Sequence, residues 1–244
     1  MQKQINNIAV VLAGGTGTRM GLGMPKQFYK LHGRTVLEHS VDAFERNANI
    51  DAICIVSNPD FMAEVEDIVR QNASVWKKID AVVPGGAQRY HSSLAAINHY
   101  ANLPAGTHLI FHDAVRPLVS QRVISRVCQK LHQAQAVNVC VPATDTIVIV
   151  DAEERISTMP SRASVRSVQT PQGFEKNVIA QAYSLALADP DFQTTDDCGV
   201  VFRYLPQVAI AVVEGEQRNL KFTYPEDIPL FENMMGSTLP DAQP

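Results

Sequence analysis

The amino-acid sequence predicts an α/β fold: a mostly parallel twisted sheet with helices on both faces and a protruding β-arm. Three observations predict it. Short, continuous apolar runs recur along the chain, as strands buried on both faces require. Segments with helical spacing fall between them, which implies right-handed βαβ units. One stretch breaks the alternation with two β-prone runs around a polar turn.

The first strand is expected at residues 8–13, Ile-Ala-Val-Val-Leu-Ala, followed directly by glycines. Similar runs lie at 53–56, 81–83, 108–111, 136–141 and 209–213. Helical patterns cover 37–46, 63–71, 92–100, 120–133 and 177–187. In 146–168, Thr-Ile-Val-Ile-Val, Asp-Ala-Glu-Glu-Arg and Ile-Ser-Thr-Met-Pro read as a hairpin. By pattern alone the hairpin is either an arm that packs on a second subunit or an antiparallel pair added at the sheet edge. Residues 1–235 read as a single domain with 144–168 as the arm, and 236–244 as a flexible tail.

Composition narrows the function. The chain has 244 residues, 45% hydrophobic and 19% charged, which excludes wholesale disorder. Its formal net charge of −4 argues against nucleic acid as a partner. No apolar run reaches the roughly 20 residues that span a bilayer. Residues 1–7 lack the basic start of a signal peptide. The expectation is a cytoplasmic chain with no membrane partner. Cys54, Cys128, Cys140 and Cys198 lie far apart without metal-ligand spacing, as buried thiols do in a reducing compartment.

The chemistry begins after the first strand, at Ala13-Gly14-Gly15-Thr16-Gly17-Thr18-Arg19-Met20. Glycines let backbone N–H groups close around an anion, and Arg19 adds a fork suited to phosphate oxygens. A Walker loop would end in Gly-Lys-Ser/Thr, which is absent. A dinucleotide fingerprint would place a third glycine where Met20 stands, so a hydride-transfer enzyme is disfavoured. Pro25-Lys26-Gln27-Phe28 follows, and Lys26 can reach the same phosphates. Two cations and several amides suit a polyphosphate. Taken alone, each feature also fits a tight turn with solvated side chains.

Together these stretches resemble the signature of the sugar-nucleotidyltransferase superfamily, and within it the polyol-phosphate cytidylyltransferases. Gly85-Gly86-Ala87-Gln88-Arg89-Tyr90-His91-Ser92 resembles the family's cytosine-reading Gly-Gly-x-x-Arg-x-x-Ser. His112-Asp113-Ala114-Val115-Arg116-Pro117, the Gln169-Thr170-Pro171-Gln172 turn and Asn219-Leu220-Lys221-Phe222-Thr223 resemble three further motifs. An acidic residue often follows the double glycine in the family; Ala87 stands there in this chain.

The resemblance implies a Rossmann-like nucleotidyltransferase fold and a Mg²⁺-dependent reaction of CTP with a polyol phosphate, releasing pyrophosphate. It implies catalytic roles for Arg19, Lys26 and Lys221. It places CTP against Ala13, Gly14, Gly15, Gly17, Gly85, Ser92, Asp113 and Ala114, with Asp113 also helping to place the Mg²⁺. Without the resemblance, Asp113 reads rather as a helix cap or a partner of Arg116. The polyol phosphate falls to Arg116, Thr146, Arg162, Thr170 and Thr195. Arg162, at the end of the arm, reaches a neighbouring subunit's site in a homodimer. A catalytically silent nucleotide sensor on the same fold would be expected to lose Arg19, Lys26, Asp113 or Lys221, and all four are present. Four details lean toward D-ribitol 5-phosphate as acceptor: Ala13-Gly14-Gly15, Ile147-Val148 after Asp145-Thr146, Met159-Pro160-Ser161-Arg162, and the His-Asp-Ala-Val form. The alternative acceptor is 2-C-methyl-D-erythritol 4-phosphate, of isoprenoid biosynthesis.

Overall fold

A computed structural model describes residues 6–15 and 23–236. The apolar run after the N-terminus forms β1 (Asn7–Ala13), whose seven residues are all buried. A single 3-10 turn at Lys26–Phe28 leads to a small hairpin, β2 (Lys30–Leu31) and β3 (Arg34–Thr35). Helix α1 (Val36–Glu45) starts at a capping box between Thr35 and Glu38. There follow β4 (Ala52–Ser57), α2 (Met62–Gln71), β5 (Ile79–Pro84), α3 (Arg89–His99), β6 (His108–Asp113), α4 (Gln121–Leu131) and β7 (Ala136–Pro142). Each matches an element expected from apolar spacing, with ends moved by a few residues.

The second half departs from the expectation. The arm is β8 (Ile149–Val150) paired with β9 (Ile156–Thr158). It forms its own two-stranded sheet, so the pair is not an addition to the edge of the main sheet. It carries exposed Ile147, Val148, Ile149, Val150, Ile156 and Met159. The Gln169-Thr170-Pro171-Gln172 stretch is not a turn but the middle of a ten-residue strand, β10 (Arg166–Glu175). Pro171 has no N–H for the ladder, and the pairing with β7 shifts between Gln169 and Gln172. Gly173 is needed there: a Cβ would sit 2.8 Å from Leu131 Cδ1 of α4. Helix α5 (Lys176–Ala186) is followed by an unanticipated short helix, α6 (Asp197–Tyr204), capped by the Asp196 side chain. After β11 (Ile210–Glu214) comes a second unanticipated helix, α7 (Ile228–Gly236). Of the expected tail at 236–244, Gly236 closes α7, and 237–244 lie outside the described residues.

The seven-stranded sheet has the order β11-β7-β10-β6-β1-β4-β5. It is parallel except for β10, which runs antiparallel to both neighbours. One face packs Ile97, Ile179 and Val201 of α3, α5 and α6 against the sheet. The other packs Leu37, Phe44, Val65 and Ile124 of α1, α2 and α4. A third cluster, Leu31, Val36, Val115, Phe222 and Phe231, seats α7 beside the small hairpin. The chain leaves β1 toward β4 and β5, then returns to β1's other side as β6. The crevice of an open α/β sheet opens at such a switch, at the carboxyl ends of the strands. No described helix is long and apolar enough to cross a membrane.

Candidate active site

A cleft of about 600 Å³ opens at that switch. Ala13, Gly14 and Gly15 after β1, Asn58 after β4, Gly86 to Arg89 and Ser92 around the start of α3, and Asp113 at the end of β6 line it, with Lys26, Gln27 and Lys221. Gln27 explains how the loop after β1 is held. Its buried amide donates to the carbonyls of Ala13 at 2.9 Å and Gly15 at 2.8 Å. Lys26, only 7% exposed, is thereby carried to the cleft wall. Gly17 and Arg19 lie outside the described residues.

Ser92 lies in a slot between two glycines. A Cβ on Gly14 would meet its Oγ at 2.8 Å, and one on Gly85 at 2.4 Å. Gly85 would also press Val56 Cγ1 at 3.2 Å. Gly85 therefore backs Ser92 rather than lining the cleft. Gly85→Ala is expected to cost about 1–3 kcal/mol of stability by overpacking. Among the described residues, Gly15 has nothing within 4 Å of its Cβ position, so the melting temperature of Gly15→Ala should stay at the wild-type value. Equal melting temperatures for the two variants would contradict the packing argument.

Asp113 is the electrostatic centre. Its carboxylate accepts from Lys221 Nζ at 2.9 Å and lies 3.5 Å from Arg89 Nε and 3.8 Å from Arg116 Nε. Burial alone would raise its pKa, but Arg89, Lys221 and Arg116 together hold it well below the usual carboxylate range. Asp113 is thus ionised and does not cap a helix. The expected pairing with Arg116 is present beside two stronger cationic contacts.

Below Asp113 runs a buried polar chain. The Asp113 N–H donates to Thr170 Oγ1 at 3.2 Å, and Thr170 Oγ1 lies 2.9 Å from His112 Nδ1. His112 Nε2 lies 3.1 Å from the Arg116 carbonyl. A carbonyl only accepts, so Nε2 carries the proton and Nδ1 accepts from the threonine. Burial lowers the pKa of fully enclosed His112 to about 4, against a weaker upward pull from Asp113. His108, buried on the same strand, is lowered for the same first reason and by His132. Because these folded-state values lie below that of an unfolded histidine, the unfolded chain takes up protons first as pH falls. Stability is therefore expected to drop from about pH 6.5 toward 4, by up to roughly 3 kcal/mol for His112. Thermal melts between pH 7.5 and 4.5 check this; a flat melting temperature would contradict the buried neutral rings.

The structure separates the remaining expected residues. Ala114 does not line the cleft: it is fully buried, its N–H donates to the Leu12 carbonyl, and its carbonyl accepts from Ser40 Oγ. Thr170 is not open to a substrate, because its buried hydroxyl is committed to His112 and Asp113. Arg116 Nη1 donates to the Asn219 carbonyl at 2.8 Å, latching the Lys221 segment beside Asp113 rather than lining the cleft. Thr195 is exposed just before the α6 cap and lines no part of the cleft. On the arm, Arg162 Nη2 donates to Thr146 Oγ1 at 3.2 Å. That exposed pair also stands apart from the cleft of its own chain. Arg89 and Asn58 are cleft residues to which the sequence assigned no role. For Arg89 the signal was its place in the Gly-Gly-x-x-Arg stretch.

Residues 7–237 match the model of the family described as IspD: 2-C-methyl-D-erythritol 4-phosphate cytidylyltransferase. A Thermobifida fusca (strain YX) protein named 2-C-methyl-D-erythritol 4-phosphate cytidylyltransferase is 45% identical over 231 residues, covering 93% of this chain and 92% of that protein. The Haemophilus influenzae bifunctional ribulose 5-phosphate reductase/CDP-ribitol pyrophosphorylase Bcs1 is 39% identical across 95% of this chain, which spans 48% of that protein. The crystal structure of 4-diphosphocytidyl-2C-methyl-D-erythritol synthase from Anaerococcus prevotii DSM 20548 superposes with a TM-score of 0.82 at 28% identity, over 96% of this chain and 99% of that one.

Proposed function

Because the chain belongs to the 2-C-methyl-D-erythritol 4-phosphate cytidylyltransferase family, and is thereby a nucleotidyltransferase acting on a polyol phosphate, we propose that its acceptor is 2-C-methyl-D-erythritol 4-phosphate. The observation that carries this reading is the family match over 7–237, joined by the 45% identical relative of that name. It replaces the acceptor suggested by the four sequence details. Ribitol 5-phosphate stands as the second reading on one specific observation, the 39% identity to a protein named for CDP-ribitol synthesis.

In the reaction, a phosphate oxygen of the polyol phosphate attacks the α-phosphorus of CTP, that P–O bond forms, and the bond to the pyrophosphate breaks. Both reactants are anions, so the site must offset repulsion and hold an in-line approach. Lys26 and Arg19 would hold the triphosphate. Lys221 is tied to Asp113 by one bond and is 40% exposed, so its flexible stem lets it exchange that carboxylate for the α-phosphate. Ser92 and the backbone around Gly14 and Gly86 would meet the cytosine.

Mg²⁺ fits one way. Asp113 is the sole carboxylate lining the cleft among the described residues, and no cluster of three potential ligand side chains occurs among them. The ion would be held by Asp113 together with triphosphate oxygens and water, where it would neutralise phosphate charge. The exposed apolar arm suits burial against a second copy of the chain, with Thr146 and Arg162 completing the partner's site.

Pyrophosphate release tests the function, using CTP, Mg²⁺ and each polyol phosphate in turn. Turnover is expected to be highest with 2-C-methyl-D-erythritol 4-phosphate. A higher kcat/KM with ribitol 5-phosphate would select the second reading, and silence with both would remove the functional reading.

A further inference from the structure

Arg89 is held from beneath more firmly than the other cations near Asp113. Its Nη1 donates to Asp197 Oδ2 at 2.8 Å, and Asp197 is 0% exposed. The other oxygen of Asp197 accepts from the Tyr183 hydroxyl at 2.7 Å, and its N–H donates to Gln172 Oε1 at 3.1 Å. A buried carboxylate is costly to leave without its counter-charge, so this pair sets where the guanidinium sits. On the opposite side Arg89 Nε lies 3.5 Å from Asp113 Oδ1. Its Nη2 is buried with no acceptor among the described residues, so the guanidinium is aimed by the two carboxylates alone. Arg89 opens α3, and Ser92 lies three residues further along the same helix, on the same face.

We propose that Arg89 is a positioning residue for the transfer reaction, with Asp197 as its anchor: the pair keeps Asp113 in register with Ser92 while Lys221 moves from Asp113 to the phosphate. The proposal rests on the reading of this cleft as the CTP site. Arg89 acts through Asp113 and the helix, holding the phosphate side of the cleft at a set distance from the base side. Loss of the pair should misalign the reactants rather than weaken CTP binding.

The wild-type protein is assayed first for pyrophosphate release; an inactive wild type overturns the reading of the site itself. With an active wild type, Arg89→Lys and Asp197→Asn are each expected to lower kcat at least ~10-fold while the KM for CTP moves less than ~3-fold. The double variant should be no slower than the slower single variant, because the second change falls on a pair already broken. Should Asp197→Asn not fold, Arg89→Lys is compared with Arg89→Ala, and the retained charge should recover part of the lost kcat. An unchanged kcat in folded variants, a loss carried mainly by KM, or losses that multiply in the double variant would each overturn the positioning role.

Discussion

Replacing Lys26 by alanine is expected to lower kcat at least ~100-fold, the scale on which removal of a preorganised transition-state contact is felt. Lys26 is almost enclosed in the cleft wall, where charge interacts more strongly than in water. Its position comes from the neighbouring residue, since Gln27 pins the 3-10 turn to the carbonyls of Ala13 and Gly15. Removing the Lys26 side chain leaves that tether intact, so the variant should still fold while turnover falls. Arg89 does not substitute for it, because it is held between Asp113 and Asp197. The measurement is pyrophosphate release at saturating CTP and polyol phosphate, beside a thermal melt. A folded variant that turns over near the wild-type rate would show that the triphosphate is gripped elsewhere. Lys26→Arg is not expected to restore the rate, because a planar fork does not reproduce a point charge on this wall.

What could be read from the sequence divides along physical lines. β1 and its glycines were legible because an unbroken apolar run and a turn are local signals. Lys26 and Lys221 were legible because each stands in a short motif. β10 was not, because Pro171 and Gly173 look like a turn until β7, β6 and α4 close around them. Helix α6 spans eight residues and depends on the Asp196 cap for its start. The role of Arg89 was hidden because its partner Asp197 lies 108 residues away and has no motif of its own. The partners of Thr170 were not legible, because a hydroxyl in a sequence gives no hint of direction; in the fold it is buried between His112 and the Asp113 N–H. The proposed acceptor differs from the one the sequence details suggested for another reason. Four short local stretches weigh less than 45% identity spread over 231 residues.

Subunit mixing separates a shared site from a merely adjacent one. Arg162→Ala and Lys26→Ala proteins should each be nearly inactive alone. Arg162 and Thr146 are bonded to each other on the arm and stand apart from the cleft of their own chain. If each arm completes the partner's cleft, a mixed dimer holds one site with both lesions and one with neither. Random exchange at equal amounts makes half the dimers mixed, so activity should recover to about a quarter of the wild-type rate. A cleft served by its own arm gives a different result, since every subunit in the mixture would carry a lesion in its only site. Mixing would then leave activity at the level of the single variants. The KM for the polyol phosphate in Arg162→Ala adds a second check, because a residue that holds only the acceptor should raise that constant more than the KM for CTP. The apolar arm residues Ile149, Val150 and Ile156 supply the physical reason to expect recovery. They are exposed among the described residues of a single chain, and a geometry that buries them against a second copy would also carry Arg162 to the neighbouring polyol phosphate.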